Sequence, residues 1–143
     1  MENYMTLRFP GKCSNEAFAR TVAGAFAAQL DLTVEELADI KTAVSEAVTN
    51  SIIHGYAGTR GTVEMRCRIS GNIFEVEIED KGCGISDIAL AMQPLYSASN
   101  DEERSGMGFT VMQSFMDNLS VESEFGSGTT VKMTKRIGVH FDD

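Results

Sequence analysis

Asp80 is the residue whose position most clearly suggests chemistry. The residues before it alternate between apolar and acidic side chains in the order Phe74, Glu75, Val76, Glu77, Ile78, Glu79, which predicts a strand with one apolar face. Asp80 shares the parity of the apolar residues, so its carboxylate is expected on the core side, where an unpaired charge is costly. Two interpretations stay open: a cap on the following turn, or a buried acceptor for a ligand. Gly82 and Gly84 favour the second interpretation, because they let the backbone turn sharply and a planar ligand approach closely.

Glu46 and Asn50 form a second polar pair. They lie four residues apart, which places both on one face of a predicted helix, at the border of its apolar stripe. Such a pair is often only a solvated helix edge. An asparagine oxygen is, however, also a suitable ligand for Mg²⁺, which takes few protein ligands and completes its shell with phosphates and waters.

The segment Ser105-Gly106-Met107-Gly108 stands where a polar loop meets a predicted helix. Free backbone N–H groups and the positive end of a helix dipole can bind phosphate at such a boundary. A lone Gly-x-Gly is weak evidence, and the segment matches neither a P-loop nor a dinucleotide fingerprint. Arg104 could reach a phosphate, or form a surface salt bridge with a neighbouring glutamate.

Thr129 opens the last predicted strand, directly after Gly128. It shares the parity of Val131 and Met133, so its hydroxyl is expected to face inward near the Asp80 end of the sheet.

The elements that must position these residues can be read from periodicity. A strand is predicted over 5–9 and a helix from Ser14, as N-cap, to about Leu30. The apolar stripe of that helix is predicted to be Phe18, Val22, Ala25/Phe26 and Gln29/Leu30. Arg20 lies about 200° round the helix from Phe18, so it is expected to point to solvent.

A second helix has a capping box in Thr33 and Glu36 and is predicted to continue to about His54. The strands 63–69 and 74–80 are joined by the turn 70–72, and their facing Arg and Glu residues favour an antiparallel pair. We predict a mobile loop over 86–105 with a short helix near 88–92, a third helix over 106–117, and a closing hairpin with strands 119–123 and 129–135. The tail after Ile137 is expected to fray.

This order of elements, β-α-α-β-β-(loop)-α-β-β, predicts the fold class. It is an α/β (α+β) two-layer sandwich in which three helices cover one face of a mixed, mainly antiparallel sheet. The 143 residues are expected to form a single domain, 1–143, because one hydrophobic core suffices at this length.

The composition excludes several classes of protein. The apolar fraction is 43%, and no apolar run approaches the length of a membrane span; the start of the chain lacks a signal-peptide pattern. We therefore expect a cytoplasmic protein that does not bind membranes. The net charge of −9 disfavours nonspecific nucleic-acid binding. Cys13, Cys67 and Cys83 have the spacing of neither a disulfide framework nor a zinc site, and Cys67 is expected to be a buried hydrophobe.

Taken together, the motifs resemble those of the GHKL ATPase superfamily, which includes DNA gyrase and the histidine kinases. The resemblance rests on four motifs in the same order: Glu46-x-x-x-Asn50, Asp80-x-Gly82-x-Gly84, Gly106-x-Gly108 and Gly128-Thr129. It implies the Bergerat ATPase fold and the cofactors ATP and Mg²⁺. The implied ATP-binding residues are Asn50, Asp80, Gly82, Gly84, Ile85, Arg104, Ser105, Gly106, Met107, Gly108 and Thr129, with Asp80 accepting from the adenine amino group and Asn50 also holding Mg²⁺.

Two segments narrow the resemblance to the anti-sigma-factor serine kinases. They are 45–56, around the Glu46/Asn50 motif, and 104–109, around Gly106. This family implies a homodimer that, with ATP bound, holds a sporulation sigma factor of the sigma F type inactive. It also implies phosphorylation of a serine on an anti-anti-sigma protein, with Glu46 as the catalytic general base and Arg20 as a partner-binding residue.

Two other functions stay open. One is a nucleotide-gated binding module without phosphoryl transfer, which the sequence argues against only through Glu46. The other is the ATP-binding domain of a sensor histidine kinase, which would need a phosphoacceptor histidine on a dimerisation helix. The chain has only His54, inside the Glu46/Asn50 motif, and His140 in the tail.

Overall fold

A five-stranded antiparallel sheet with its helices on one face forms the framework of the protein. The computed structural model describes residues 2–55, 61–82, 108–124 and 126–138. In chain order the elements are β1 (Glu2–Pro10), α1 (Asn15–Ala27), α2 (Val34–Asn50), a π-helical turn (Ser51–Gly55), β2 (Thr62–Ser70), β3 (Ile73–Asp80), α3 (Gly108–Phe115), β4 (Asn118–Glu124) and β5 (Gly128–Arg136). The predicted order is confirmed, whereas the loop 86–105 and its short helix lie outside the described residues.

The strands follow one another across the sheet in the order β1-β2-β3-β5-β4. Every pairing in the described part of the chain is antiparallel, so the parallel component of the predicted mixed sheet is not found there. The core face carries alternate residues of the three central strands, all of them buried: Val63, Met65, Cys67, Ile69, Phe74, Val76, Ile78, Val131 and Met133. The two-layer sandwich is therefore confirmed.

The opposite face of the sheet is polar and held by cross-strand ion pairs. Arg66 contacts Glu77 at 3.0 Å and Glu79 at 3.3 Å across the β2–β3 pair, and Glu64 on its own strand. Hydrogen bonds from Arg8 and Arg66 hold the pKa of Glu64 below its ordinary value, against the opposing effect of burial. This arrangement confirms the antiparallel pairing that the facing charges predicted.

The core face predicted for α1 is correct only in part: Phe26 is buried, and Val22 and Leu30 pack against the core. Phe18 is 51% exposed and Ala25 also faces solvent, whereas Ala19, Ala23, Phe26 and Ala27 are buried. These four share one helical face with i, i+4, i+7 and i+8 spacing. Alanines here let α1 approach its neighbours closely, and the large Phe18 is left outside.

The ends of α1 also differ from the prediction. The helix ends at Ala27, and a turn takes the chain on to Leu30. Ser14 occupies the N-cap position but its side chain makes no capping hydrogen bond. The neighbouring Asn15 instead donates from its side-chain amide to the Pro10 carbonyl at 2.9 Å, which fixes the link between β1 and α1.

α2 begins as the sequence predicts. The Thr33 hydroxyl accepts from the Glu36 amide at 3.0 Å, and the Glu36 carboxylate accepts from the Thr33 amide at 3.0 Å, so the capping box is present. The buried side of α2 consists of Ile40, Ala43, Val44, Ala47 and Val48. The helix then continues into the π-helical turn at Ser51–Gly55, and this continuation aligns the end of α2 with the sheet.

Beyond β5 the chain stays attached to the fold as far as it is described. Ile137 is buried, and its amide donates to the Asn72 carbonyl at 2.8 Å. The Gly138 amide donates to Glu36 at 3.2 Å. Fraying after Ile137 therefore does not begin at Gly138, and residues 139–143 lie outside the described part. In the described residues, no helix is long and apolar enough to cross a membrane.

Candidate nucleotide site

Asp80 lies at the end of β3 with its carboxylate inside the protein. Its side chain is 3% exposed, as its strand parity predicted. The Gly82 amide donates to Asp80 Oδ1 at 2.9 Å, and the Ser51 hydroxyl and the Thr129 amide also hydrogen-bond to the carboxylate. Burial raises the pKa of Asp80 above its ordinary value, although these three donors oppose the shift.

Both interpretations of Asp80 thus have support in the structure. The hydrogen bond from Gly82 is the local turn cap, and the buried position is what a ligand acceptor needs. A carboxylate that is buried, held by fixed donors and placed at the end of a central strand can accept a further hydrogen bond from a ligand with little rearrangement.

Gly128 explains how β3 and β5 come together at this point. Its φ is +111°, and a Cβ placed on it would lie 2.2 Å from the Asp80 backbone oxygen and 2.9 Å from Lys81 Cα. No other residue type fits here, because the obstacles are backbone atoms that cannot move away. The glycine thereby allows the close register that sets Thr129 opposite Asp80.

Thr129 contributes to this end of the sheet in two ways. Its amide bonds to Asp80, as expected for a residue directly opposite it. Its hydroxyl lies 2.8 Å from that of Ser123, the residue opposite it on β4. The predicted proximity to Asp80 is confirmed, and it is the backbone of Thr129 that contacts the carboxylate.

Glu46 and Asn50 meet the first residue of α3. A Cβ on Gly108 would lie 3.2 Å from Glu46 Oε2, 3.2 Å from Asn50 Nδ2 and 3.3 Å from Asn50 Oδ1. Both residues are partly buried, and both side chains are directed at Gly108. Three residues from two separate motifs are therefore in contact, with the carboxylate and the amide at the N-terminal end of a helix, where the dipole favours negative charge.

The same place suits a magnesium ion bound together with phosphate. Among the described residues, no cluster of three or more His, Cys, Asp and Glu side chains could hold a metal by itself. Asn50 Oδ1 faces the start of α3, and one neutral protein oxygen is what Mg²⁺ uses when nucleotide oxygens and water supply the rest of its shell. The residues present thus fit an ion that enters with its nucleotide.

Ser51 links the two parts of the site, and its role was missed from the sequence. It directly follows Asn50 and is 4% exposed, and its hydroxyl bonds to Asp80. A hydroxyl at a core position of the helical stripe was the signal that could have found it, since a buried polar group needs a partner.

Arg20 lies apart from these residues, on α1. Its side chain is 39% exposed, and its Nε is 3.8 Å from Glu16 Oε1, so it is partly screened rather than fully directed to solvent as predicted. The remaining predicted site residues, Gly84, Ile85, Arg104, Ser105, Gly106 and Met107, lie outside the described part of the chain. Cys67 is buried as predicted, and burial raises the pKa of its thiol to about 12.

Comparisons with known proteins identify the family of this chain. A family model for the histidine kinase-like ATPase domain matches residues 9–135, and this family implies ATP binding. The anti-sigma F factor of Thermoanaerobacter sp. (strain X514) is 62% identical over 136 residues, which are 95% of this chain and 95% of that protein. The anti-sigma F factor of Clostridium botulinum (strain Eklund 17B / Type B) is 54% identical over 139 residues, 96% of this chain and 97% of that protein.

A solved structure supports the fold. The crystal structure of the RsbU and RsbW domains of a Mycobacterium tuberculosis protein matches with a TM-score of 0.69 at 18% identity, over 94% of this chain. The match spans about a third (32%) of that longer chain, and at this identity it bears on the fold alone. The family match and the high identity along nearly the full length together show that the chain belongs to the histidine kinase-like ATPase family and, within it, to the anti-sigma F factors.

Proposed function

We propose that this protein is an anti-sigma factor and an ATP-dependent protein serine kinase. With ATP and Mg²⁺ bound, it sequesters a sporulation sigma factor of the sigma F type, and it phosphorylates a serine of an anti-anti-sigma protein. The observation that carries the proposal is the contact of Glu46 and Asn50 with the first residue of α3. The names of the relatives that match nearly the full chain support the anti-sigma part.

Phosphoryl transfer needs a positioned acceptor and a group that takes its proton. In the proposed reaction the serine oxygen of the partner forms a bond to the γ-phosphorus, and the bond from that phosphorus to the bridging oxygen of ADP breaks. The serine proton goes to the Glu46 carboxylate. Glu46 is suited to this step because it is partly buried and its side chain, on α2, lies against the N-terminus of α3. The nucleotide phosphates are expected at that N-terminus.

The other site residues bind and orient the nucleotide and its metal ion. Asp80 accepts from the adenine amino group, and the donors from Gly82, Ser51 and Thr129 keep its carboxylate in place. Asn50 Oδ1 holds Mg²⁺, which when bound neutralises phosphate charge. Gly108, together with residues 104–107, binds the phosphates of the nucleotide. Dimerisation is supported by β1, a strand at the edge of the sheet whose Tyr4 is 80% exposed, because an exposed edge needs a partner or a cover.

The test is transfer of labelled γ-phosphate from Mg-ATP to the anti-anti-sigma protein of the same organism. Glu46→Gln keeps the shape of the side chain but removes the base, so the transfer rate should fall about 10²–10⁴-fold. The affinity for Mg-ATP should stay within about twofold, because the nucleotide contacts remain. Glu35→Gln is the matched control, since it removes an exposed carboxylate from the first turn of the same helix.

The other results each select a different function. Nucleotide-dependent binding of the sigma factor with no transfer by the wild-type protein would indicate a nucleotide-gated binding module. An acid-labile phosphohistidine product would indicate a histidine kinase domain. Removal of Mg²⁺ with EDTA should abolish transfer, and undiminished transfer in EDTA would remove the metal from the proposal.

A further inference from the structure

Two hydroxyl groups and a carbonyl form a short relay of hydrogen bonds beside Asp80. The Ser123 hydroxyl, on β4, donates to the Gly128 carbonyl at 3.0 Å, and its oxygen lies 2.8 Å from the Thr129 hydroxyl oxygen. Thr129, on β5, is opposite Ser123 on one side and opposite Asp80 on the other. Residues directly opposite each other share a face of the sheet, so the three side chains form one row on the core side.

The relay fixes the direction of the hydroxyl protons. A hydroxyl has one proton to donate and a carbonyl oxygen can only accept, so the proton of Ser123 goes to Gly128. The contact between the two hydroxyls must then use the proton of Thr129, with Ser123 Oγ as the acceptor. Only this arrangement satisfies both contacts at once. It leaves Thr129 Oγ1 with lone pairs alone to present to a further neighbour.

Asp80 presents the same polarity. A carboxylate has about four lone-pair positions, and donors from Gly82, Ser51 and the Thr129 amide already bond to this one. What remains for a ligand is an acceptor position. Asp80 and Thr129 therefore offer acceptors from two neighbouring strands, and we call this pair the acceptor row.

We propose that Ser123 is a positioning residue that fixes the polarity of the acceptor row and thereby selects an amino group over a carbonyl at C6 of the purine base. It acts through Thr129, by holding the hydroxyl proton away from the base. The inference deepens the proposed function and rests on it, because it starts from the proposed contact of Asp80 with the adenine amino group.

Base selection follows from the pairing of donors with acceptors. The C6 amino group of adenine has two N–H donors, which suit an acceptor row. The C6 carbonyl of hypoxanthine or guanine is itself an acceptor, and it would meet lone pairs with no proton between them. A site that leaves polar groups unpaired in this way rejects the wrong ligand. A freely rotating Thr129 hydroxyl would weaken the rejection, since it could donate to the carbonyl.

The decisive variant is Ser123→Ala, because it removes the acceptor of the Thr129 proton and changes no charge. Dissociation constants are measured by calorimetry for Mg-ATP and for Mg-ITP, the inosine nucleotide, which differs only in its C6 carbonyl and the accompanying N1 proton. The wild type should prefer Mg-ATP by about tenfold or more. In Ser123→Ala this preference should shrink about three- to tenfold, the scale of one neutral hydrogen bond, and Mg-ITP should bind more tightly than it does to the wild type.

Three further variants test whether Ser123 acts through Thr129. Ser123→Thr keeps a hydroxyl and should restore the wild-type preference. In a Thr129→Val background, Ser123→Ala should leave the ratio of the two dissociation constants unchanged, since no hydroxyl is left to orient. Ser120→Ala is the matched control, because Ser120 is exposed on the same strand, and its ratio should equal that of the wild type. The thermal midpoint is measured for every variant; damage to the fold would weaken the binding of both nucleotides and would not tighten that of Mg-ITP.

Three results would overturn the inference and leave the proposed function in place. They are equal binding of Mg-ATP and Mg-ITP by the wild type, an unchanged ratio in Ser123→Ala, and the same change of ratio with and without the Thr129 hydroxyl. A failure of the proposed function is distinguishable from these. Selective binding of Mg-ATP without phosphoryl transfer would refute the kinase proposal and retain the role of Ser123, whereas a wild-type protein that does not bind Mg-ATP would refute both.

Discussion

The two ends of the candidate site are built in different ways. At the strand end, Asp80 is 3% exposed, its carboxylate has donors from three separate segments, and Gly128 meets backbone atoms. At the helix end, Glu46 and Asn50 are partly buried and meet Gly108 through their side chains. Backbone atoms cannot move without the sheet, whereas side chains can rotate. Substitutions at the strand end should therefore mainly lower the stability of the protein, and substitutions at the helix end should mainly impair its function.

The largest effect is expected for Gly128→Ala. The new Cβ would lie 2.2 Å from the Asp80 backbone oxygen at a φ of +111°, so the strands must separate or the residue must change conformation. We expect the free energy of unfolding, measured in urea, to fall by about 3 kcal/mol or more. Mg-ATP affinity should fall as well, because Thr129 can no longer stay opposite Asp80.

Gly126→Ala distinguishes the cost of backbone strain from the cost of steric crowding by the new Cβ. Gly126 also has a positive φ, +87°, but a Cβ there meets nothing within 4 Å. Its cost should be that of backbone conformation alone, about 1–2 kcal/mol. An equal loss of stability in the two variants would show that crowding against Asp80 is unimportant and would weaken the contrast between the two ends.

Asp80→Asn is expected to have an intermediate effect on nucleotide binding. An amide cannot accept from all three donors, and it presents a donor to the adenine. Mg-ATP affinity should therefore fall by about 1.5–3 kcal/mol, the range of hydrogen bonds to charged groups. Calorimetric titration with Mg-ATP at neutral pH measures this loss.

The effect of Asp80 on stability depends on pH. Its pKa is raised in the folded protein by burial, so the folded state holds this proton more tightly than the unfolded state. The contribution of Asp80 to the free energy of unfolding must then decrease as pH rises from the ordinary aspartate pKa of 3.8 through the raised pKa. The stability of Asp80→Asn relative to wild type should increase over this window and level off above it. A difference that is constant with pH would contradict the raised pKa.

The parts of this molecule that could be predicted from the sequence are those governed by local periodicity and local motifs. Strand alternation placed Asp80 on the core side, and the capping box set the start of α2. On α1 the prediction of Phe18 as a core residue was wrong, because it followed hydrophobic size, while the actual packing depends on how closely alanines let two helices approach.

Contacts between distant segments could not be obtained from a pattern. Ser51 bonding to Asp80, Gly128 against Asp80, and Ser45 reaching Glu16 all join residues whose proximity depends on the finished fold. Glu46 and Asn50 are an intermediate case. Their common face followed from helical spacing, but their burial against Gly108 follows from the packing of α3 on α2.

The smallest effect on stability is expected for Gly108→Ala, the counterpart of Gly128→Ala at the helix end. Its Cβ would lie 3.2 Å from Glu46 Oε2 and Asn50 Nδ2, groups that can rotate away, and alanine suits a helix better than glycine does. The free energy of unfolding should change by no more than about 1 kcal/mol. The displaced Glu46 and Asn50 should nevertheless reduce phosphoryl transfer about tenfold or more, because small errors of position are expensive in such reactions. Gly24→Ala is a suitable control, since its Cβ would be 3.1 Å from the flexible Lys41 side chain on the other side of α2, and it should leave Mg-ATP binding and transfer unchanged. If Gly108→Ala instead destabilised the protein as much as Gly128→Ala, the helix end would be as rigid as the strand end. Substitutions at the two ends would then not separate effects on function from effects on stability.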